Sequence, residues 1–146
     1  IAAVTIAVLA YSMKYDDYSI VLFECDPTLL KPFSKTVTIE QMVDSIFGLR
    51  PSGYTNIDAA LRKAYDEMAG IRRRDKWAVL VTDGDYNQGA DPRHFAPAFR
   101  RLNVIRVGRI RKGEGVCKDL AKLGHGKYES LSTYRNLPLA LLRIMR

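Results

Sequence analysis

Ala78-Val79-Leu80-Val81-Thr82-Asp83-Gly84 is the stretch on which the fold turns. With Trp77 ahead of it, this is an apolar run of strand length. Unbroken runs of this kind suit strands covered on both faces, as in parallel sheets. Asp83-Gly84 then ends the run and opens a loop that continues through Asp85-Tyr86-Asn87. In open parallel sheets, ligands bind outside the carboxyl ends of the strands, where strand order reverses. Asp83 stands just past such an end.

Working outward, two more apolar runs read as strands. Tyr18-Ser19-Ile20-Val21-Leu22-Phe23-Glu24 lies upstream, and Asn103-Val104-Ile105-Arg106-Val107-Gly108 lies downstream. Asp26-Pro27 is expected to end the first. Leu29–Lys35 is predicted as a short edge strand, a place that tolerates Pro32. Lys127–Leu131 is predicted as a last strand.

Helices are predicted between them. Thr38 with Gln41 forms a capping box for a helix over Ile39–Leu49. A helix follows Thr55, with Ile57, Leu61, Ala64, Tyr65 and Met68 near helical spacing. Asp91-Pro92 opens another over about 93–102, which Pro97 should kink. Cys117–Leu123 and Thr133–Met145 complete the set. Strands alternating with amphipathic helices imply an α/β, Rossmann-like, mostly parallel sheet with helices on both faces.

A chain of 146 residues, 47% hydrophobic and 27% charged, fits one soluble domain over 1–146. The net charge of +7 favours anionic partners. The densest basic run, Arg72-Arg73-Arg74-Asp75-Lys76, reads as a solvated helix end. It has no interleaved aromatics, so no nucleic acid is expected as a partner. Cys25 and Cys117 have no metal-ligand spacing, which points to a reducing, cytoplasmic setting.

Ile1 to Tyr11 is apolar except for Thr5. A transmembrane helix needs roughly 20 apolar residues, so no membrane insertion is expected. Ile1–Tyr15 reads instead as a mostly buried helix entered partway along. The sequence is expected to be a piece whose natural start lies upstream.

The second informative stretch is Gly53-Tyr54-Thr55-Asn56-Ile57-Asp58-Ala59-Ala60-Leu61. Together with Leu80-Val81-Thr82-Asp83-Gly84 and Asn87, it resembles the von Willebrand factor type A (VWA) domain. The family's Gly-x-Thr-Asn loop and its strand-ending Thr-Asp-Gly loop match in order. Val104–Gly108, Leu120-Ala121 through Gly126-Lys127-Tyr128, and Leu137–Leu142 resemble later family elements.

The resemblance implies a metal-ion-dependent adhesion site. Thr55 would supply a hydroxyl and Asp83 a carboxylate, with Gly53, Asn56, Gly84 and Asp85 supporting the site or touching a partner. Hard oxygen donors suit Mg²⁺, with Mn²⁺ or Ca²⁺ as substitutes. An acidic residue of a partner protein commonly completes such a site, so the function implied is protein binding and not catalysis. Intracellular relatives often work beside AAA+ ATPases, in chelatase or cofactor-maturation complexes. A secreted or surface setting is the second possibility.

The sequence departs from the family at one point. No Asp-x-Ser-x-Ser loop occurs in residues 1–146. That loop and the central first strand before it are expected upstream of Ile1. The strand would lie between Tyr18–Glu24 and Trp77–Thr82. Without the loop, one hydroxyl and one carboxylate should hold Mg²⁺ weakly or not at all.

Two other readings remain. The domain is a metal-free interaction scaffold, or Asp83-Gly84-Asp85 is the nucleophile loop of a Mg²⁺-dependent phosphatase of haloacid dehalogenase type. The second fits poorly. Asn87 stands where that family has threonine or valine, and the loop falls at midchain. His94 and His125 have no nucleophile signature nearby, and no phosphate-cradling loop is present.

Overall fold

The computed structural model describes residues 2–14, 17–24, 26–49 and 53–145. Its elements are α1 (Ala2–Ser12), β1 (Ile20–Phe23), β2 (Pro27–Lys31), α2 (Ile39–Phe47), α3 (Ile57–Ala69), β3 (Ala78–Thr82), β4 (Leu102–Val107), α4 (Glu114–Leu123), β5 (His125–Leu131) and α5 (Leu137–Ile144). Short 3₁₀ turns occupy Pro92–His94, Ala96–Ala98, Arg111–Gly113 and Tyr134–Asn136.

The strands form two sheets. β3, β4 and β5 pair in parallel, with β4 in the middle. Leu80 lies opposite Val104, and Ile105 opposite Glu129. All six residues of β4 are buried. β1 and β2 form a separate antiparallel pair, with Phe23 opposite Pro27. Among the described residues no ladder joins β1 to β3, the two strands between which the sequence places an absent one.

Side-chain alternation along the strands makes two cores. Leu80, Leu102 and Val104 pack with Ile57 and Leu61 of α3 and with Cys117 and Leu120 of α4. On the opposite face, Val79, Val81, Ile105 and Leu131 pack with Val4 and Val8 of α1 and Leu137 and Leu141 of α5. Each fully buried Leu, Ile or Val contributes about 1.5–3 kcal/mol relative to exposure. A third cluster joins Leu9 and Met13 from the α1 side to Tyr18, Ile20, Leu30 and Met42.

Local signals account for most boundaries. Thr38 and Gln41 make the reciprocal capping box at the start of α2. Lys76 Nζ donates to the Met68 carbonyl at the end of α3, at 2.9 Å. A cation there offsets the negative helix terminus.

Two of these expectations need correction. The region expected as one helix over about 93–102 is two 3₁₀ turns, with Pro97 in the second. Proline lacks the N–H that would continue an α-helix and clashes with the preceding turn. The edge strand starts earlier than expected, at Pro27 and not Leu29. Pro27 stands at the first position of an edge strand, where a missing donor costs nothing. The cap of α3 is Asn56, whose Oδ1 accepts from Ala59 N at 2.9 Å. Cys25 lies outside the described residues.

A candidate docking rim at the carboxyl end of the sheet

Parallel pairing sends the ends of β3, β4 and β5 out on one edge of the sheet. Asp83 follows β3 there and is exposed, whereas Thr82 and Gly84 on either side are buried. The Thr82 hydroxyl accepts from Gly84 N at 3.1 Å. One Asp83 carboxylate oxygen accepts from Asp85 N at 2.9 Å. Such short-range bonds fix a turn and hold the acid outward.

Gly84 has φ +84, a left-handed backbone that favours glycine. A Cβ there would come 2.2 Å from the Gly113 carbonyl oxygen and 2.6 Å from Cys117 Sγ. The Asp83 loop therefore lies directly against the turn that leads into α4.

The Thr55 loop joins the same rim through Asn87. The Asn87 Oδ1 accepts from Thr55 N at 2.8 Å, and its Nδ2 donates to the Gly53 carbonyl at 3.1 Å. The backbone N–H groups of Asn87 and Gln88 both donate to the Thr55 carbonyl. Gly89 packs on the Asn56 side chain so closely that a Cβ would sit 2.2 Å from its Oδ1. Asn56 N in turn donates to the Glu24 carbonyl at 2.7 Å, just past β1. Thr55 and Asp83 thus belong to two loops stitched together.

A third segment completes the rim and was not singled out in the sequence. It runs from Arg106 at the end of β4 to Gly113. A cleft of about 180 Å³ separates Asp83 and Asp85 from Gly108, Arg109, Ile110 and Lys112. Lys112 Nζ stands 3.5 Å from the Asp85 carboxylate. Arg106 is only 4% exposed and donates from Nη1 to the Ile110 carbonyl at 2.8 Å. Beneath the rim, burial pushes the Cys117 thiol up to about 12; Arg106 opposes this shift, and Asp83 and Glu114 reinforce it.

Residues 1–85 match the family model of the von Willebrand factor type A domain. The chain belongs to this family. Two solved structures resemble the VWA fold seen here. One is the conserved hypothetical protein BatB from Bacteroides thetaiotaomicron: TM-score 0.69, 19% identity, covering 97% of this chain and 83% of that one. The other is an aerotolerance-related membrane protein from Bacteroides fragilis: TM-score 0.70, 21% identity, covering 99% and 86% respectively. At these identities the likeness concerns fold alone. No curated protein matches the chain.

The cation implied by the VWA family can be tested against the donors present. Among the described residues no group of three or more His, Cys, Asp or Glu side chains could hold a metal. The rim offers the Thr55 hydroxyl and the Asp83 carboxylate, while Asp85 is engaged by Lys112. Mg²⁺ demands near-octahedral oxygen ligation and parts with its waters reluctantly. These residues by themselves do not fit a closed cation cage.

Proposed function

We propose that this VWA domain is a protein-interaction module that docks an acidic residue of its partner at the rim formed by the Thr55, Asp83 and Arg106–Gly113 segments. One observation carries the reading: Asn87 clasps two separate loops into one surface at the open end of a parallel sheet. Such an edge is where α/β sheets present their ligand sites. Nothing in the arrangement calls for bond chemistry.

Two forms of this reading differ in the role of metal. In the cation form, Thr55 and Asp83 supply two oxygens to Mg²⁺, Mn²⁺ or Ca²⁺, and further donors come from outside the described residues. In the metal-free form, the rim binds through its own charges. An AAA+ ATPase is the partner class proposed from the family resemblance, in a cytoplasmic setting. The likeness to a membrane protein adds a membrane-proximal setting to the proposal. Among the described residues no helix is long and apolar enough to cross a membrane.

A photo-crosslinking experiment tests the docking face. A benzophenone side chain replaces Tyr54, which is exposed beside Thr55, or Lys122, which is exposed near the amino end of the sheet. Light applied in cells should give an adduct from position 54 and none from 122. Mass spectrometry should locate Asp or Glu in the captured peptide. Equal capture from both positions would sink the proposal. Loss of the adduct with EDTA and in Asp83→Ala selects the cation form; persistence in EDTA selects the metal-free form.

A further inference from the structure

The amino edge of the parallel sheet differs in character from the carboxyl rim. β3 and β4 begin side by side, with Ala78 opposite Leu102, so the segments leading into them meet. Those segments are Arg72-Arg73-Arg74-Asp75-Lys76 and Arg100-Arg101; six of their seven residues are Lys or Arg and one is acidic. Contacts hold the two together. Arg100 Nη1 donates to the Arg74 carbonyl, and Ala78 N donates to the Arg101 carbonyl at 2.9 Å. The Arg101 guanidinium lies 5.2 Å from the centre of the Trp77 ring. Arg73 pairs with Asp17, whose N–H donates to the Lys14 carbonyl, so Lys14 joins the same edge.

Local structure accounts for only part of this charge. Lys76 caps α3 through the Met68 carbonyl, and Arg73 has Asp17. Arg72, Arg74 and Arg100 are exposed and make no ion pair among the described residues. The Arg101 Nε is buried and has no hydrogen-bond partner. A helix C-terminus is served by one or two cations; crowding more of them together sets up self-repulsion. An anionic surface brought against the edge turns that repulsion into attraction. The edge is open, formed by loop turns and a helix end. Arg101 stacks on Trp77, the single tryptophan of the chain, which leaves that ring poorly placed to stack a nucleic-acid base. Tyr11, 95% exposed, stands near the end of α1, three residues before Lys14. Amphipathic aromatic rings beside long basic side chains suit the boundary between membrane and water.

We infer that the amino edge of the sheet is a peripheral membrane-binding surface that takes the phosphate headgroups of anionic lipids. Arg72, Arg74 and Arg100 reach the headgroups, and Tyr11 and Trp77 lie at the boundary beside them. This surface rests on the membrane-proximal setting proposed above and is independent of what the carboxyl rim binds. β3, five residues long, spans about 13–17 Å. A membrane under the amino edge therefore leaves the Thr55 and Asp83 loops on the far side, open to a partner.

Vesicle flotation at about 0.1 M salt, where the Debye length is about 10 Å, tests the surface. The protein should float with phosphatidylcholine vesicles that contain one third phosphatidylglycerol and stay behind with phosphatidylcholine alone. Arg72→Ala with Arg74→Ala should weaken partitioning about 25-fold, at about fivefold for each cation near the surface. Both side chains are exposed, so the fold is kept. Lys118→Ala with Arg135→Ala removes the same charge from exposed positions elsewhere and should change partitioning by less than about twofold, because distant charges are screened. Vesicles carrying a nitroxide on the headgroup should quench the fluorescence of Trp77.

No flotation with the anionic vesicles would overturn the inference. So would equal weakening by the two pairs of substitutions, or flotation without quenching of Trp77. Displacement of the vesicles by a short DNA duplex at equal phosphate concentration would mark a nucleic-acid surface instead, and displacement by inorganic phosphate at that concentration would mark a free-anion site; either result sinks the lipid reading. If flotation fails while Tyr54 crosslinking still captures a partner, only the lipid surface falls. If flotation succeeds while crosslinking is silent, only the docking rim falls.

Discussion

Replacing Gly84 with alanine probes how tightly the rim is built. Two penalties apply. The left-handed backbone at φ +84 costs a β-carbon about 1–2 kcal/mol. The new atom would also sit 2.2 Å from the Gly113 carbonyl oxygen and 2.9 Å from its carbon, so backbone must move. Overpacking of this kind costs about 1–3 kcal/mol. Together they amount to about 3 kcal/mol, or a fall in Tm of about 6–12 °C for a chain of this size. Gly53→Ala is the control: its φ is +76, but nothing described lies within 4 Å of the added Cβ. It bears only the backbone penalty, about 1.5 kcal/mol or about 3–6 °C. Differential scanning calorimetry of both variants separates the two terms. If Gly84→Ala melts no lower than Gly53→Ala, the close contact between the Asp83 loop and the turn before α4 is wrong.

Two further outcomes follow from the same region. Asn87→Ala removes both side-chain bonds of the clasp, which should cost about 1–2 kcal/mol in urea unfolding. It should also raise amide hydrogen exchange at Thr55, and unchanged exchange there would refute the clasp. Cys117, with its thiol pushed up to about 12, should resist iodoacetamide at pH 8 until the protein unfolds, as read by mass spectrometry of the labelled peptide. Its folded-state value is raised, so stability should hold below the ordinary thiol range near pH 9 and decline as pH climbs toward 12. Rapid labelling of the native protein at pH 8 would contradict this.

Much of the architecture was legible because the signals were local. The run ending in Thr82-Asp83-Gly84 gave both a strand and its loop, and Thr38 with Gln41 gave a helix start. The Pro92–Ala98 region misled because Asp91-Pro92 is an equally good opening for a 3₁₀ turn, and the choice depends on how far Pro97 lets the helix run. Register could not be read: pairing of Phe23 with Pro27 is set across a turn. At the site, Thr55 and Asp83 stood out through their motifs. Asn87 appeared only as part of a pattern, since its clasp spans 32 residues of sequence. Arg106 left one faint trace, a charge inside an otherwise apolar strand. Its burial beneath the rim, with Nη1 on the Ile110 carbonyl, is visible only in three dimensions.

The separation of β1–β2 from β3–β4–β5 has a mechanical consequence. Among the described residues no ladder joins β1 to β3, and cohesion between them comes from α1 and α3, which contact both sides, and from Phe23 of β1 packed against the α3 core. Side-chain packing yields more readily to local opening than a strand ladder, so amides of the hairpin and α2 should exchange faster than those of β4. The bond from Asn56 N to the Glu24 carbonyl is where that unit touches the rim. Order imposed on the Thr55 loop by a bound partner therefore reaches the hairpin through this hydrogen bond and through Phe23, packed against the α3 core.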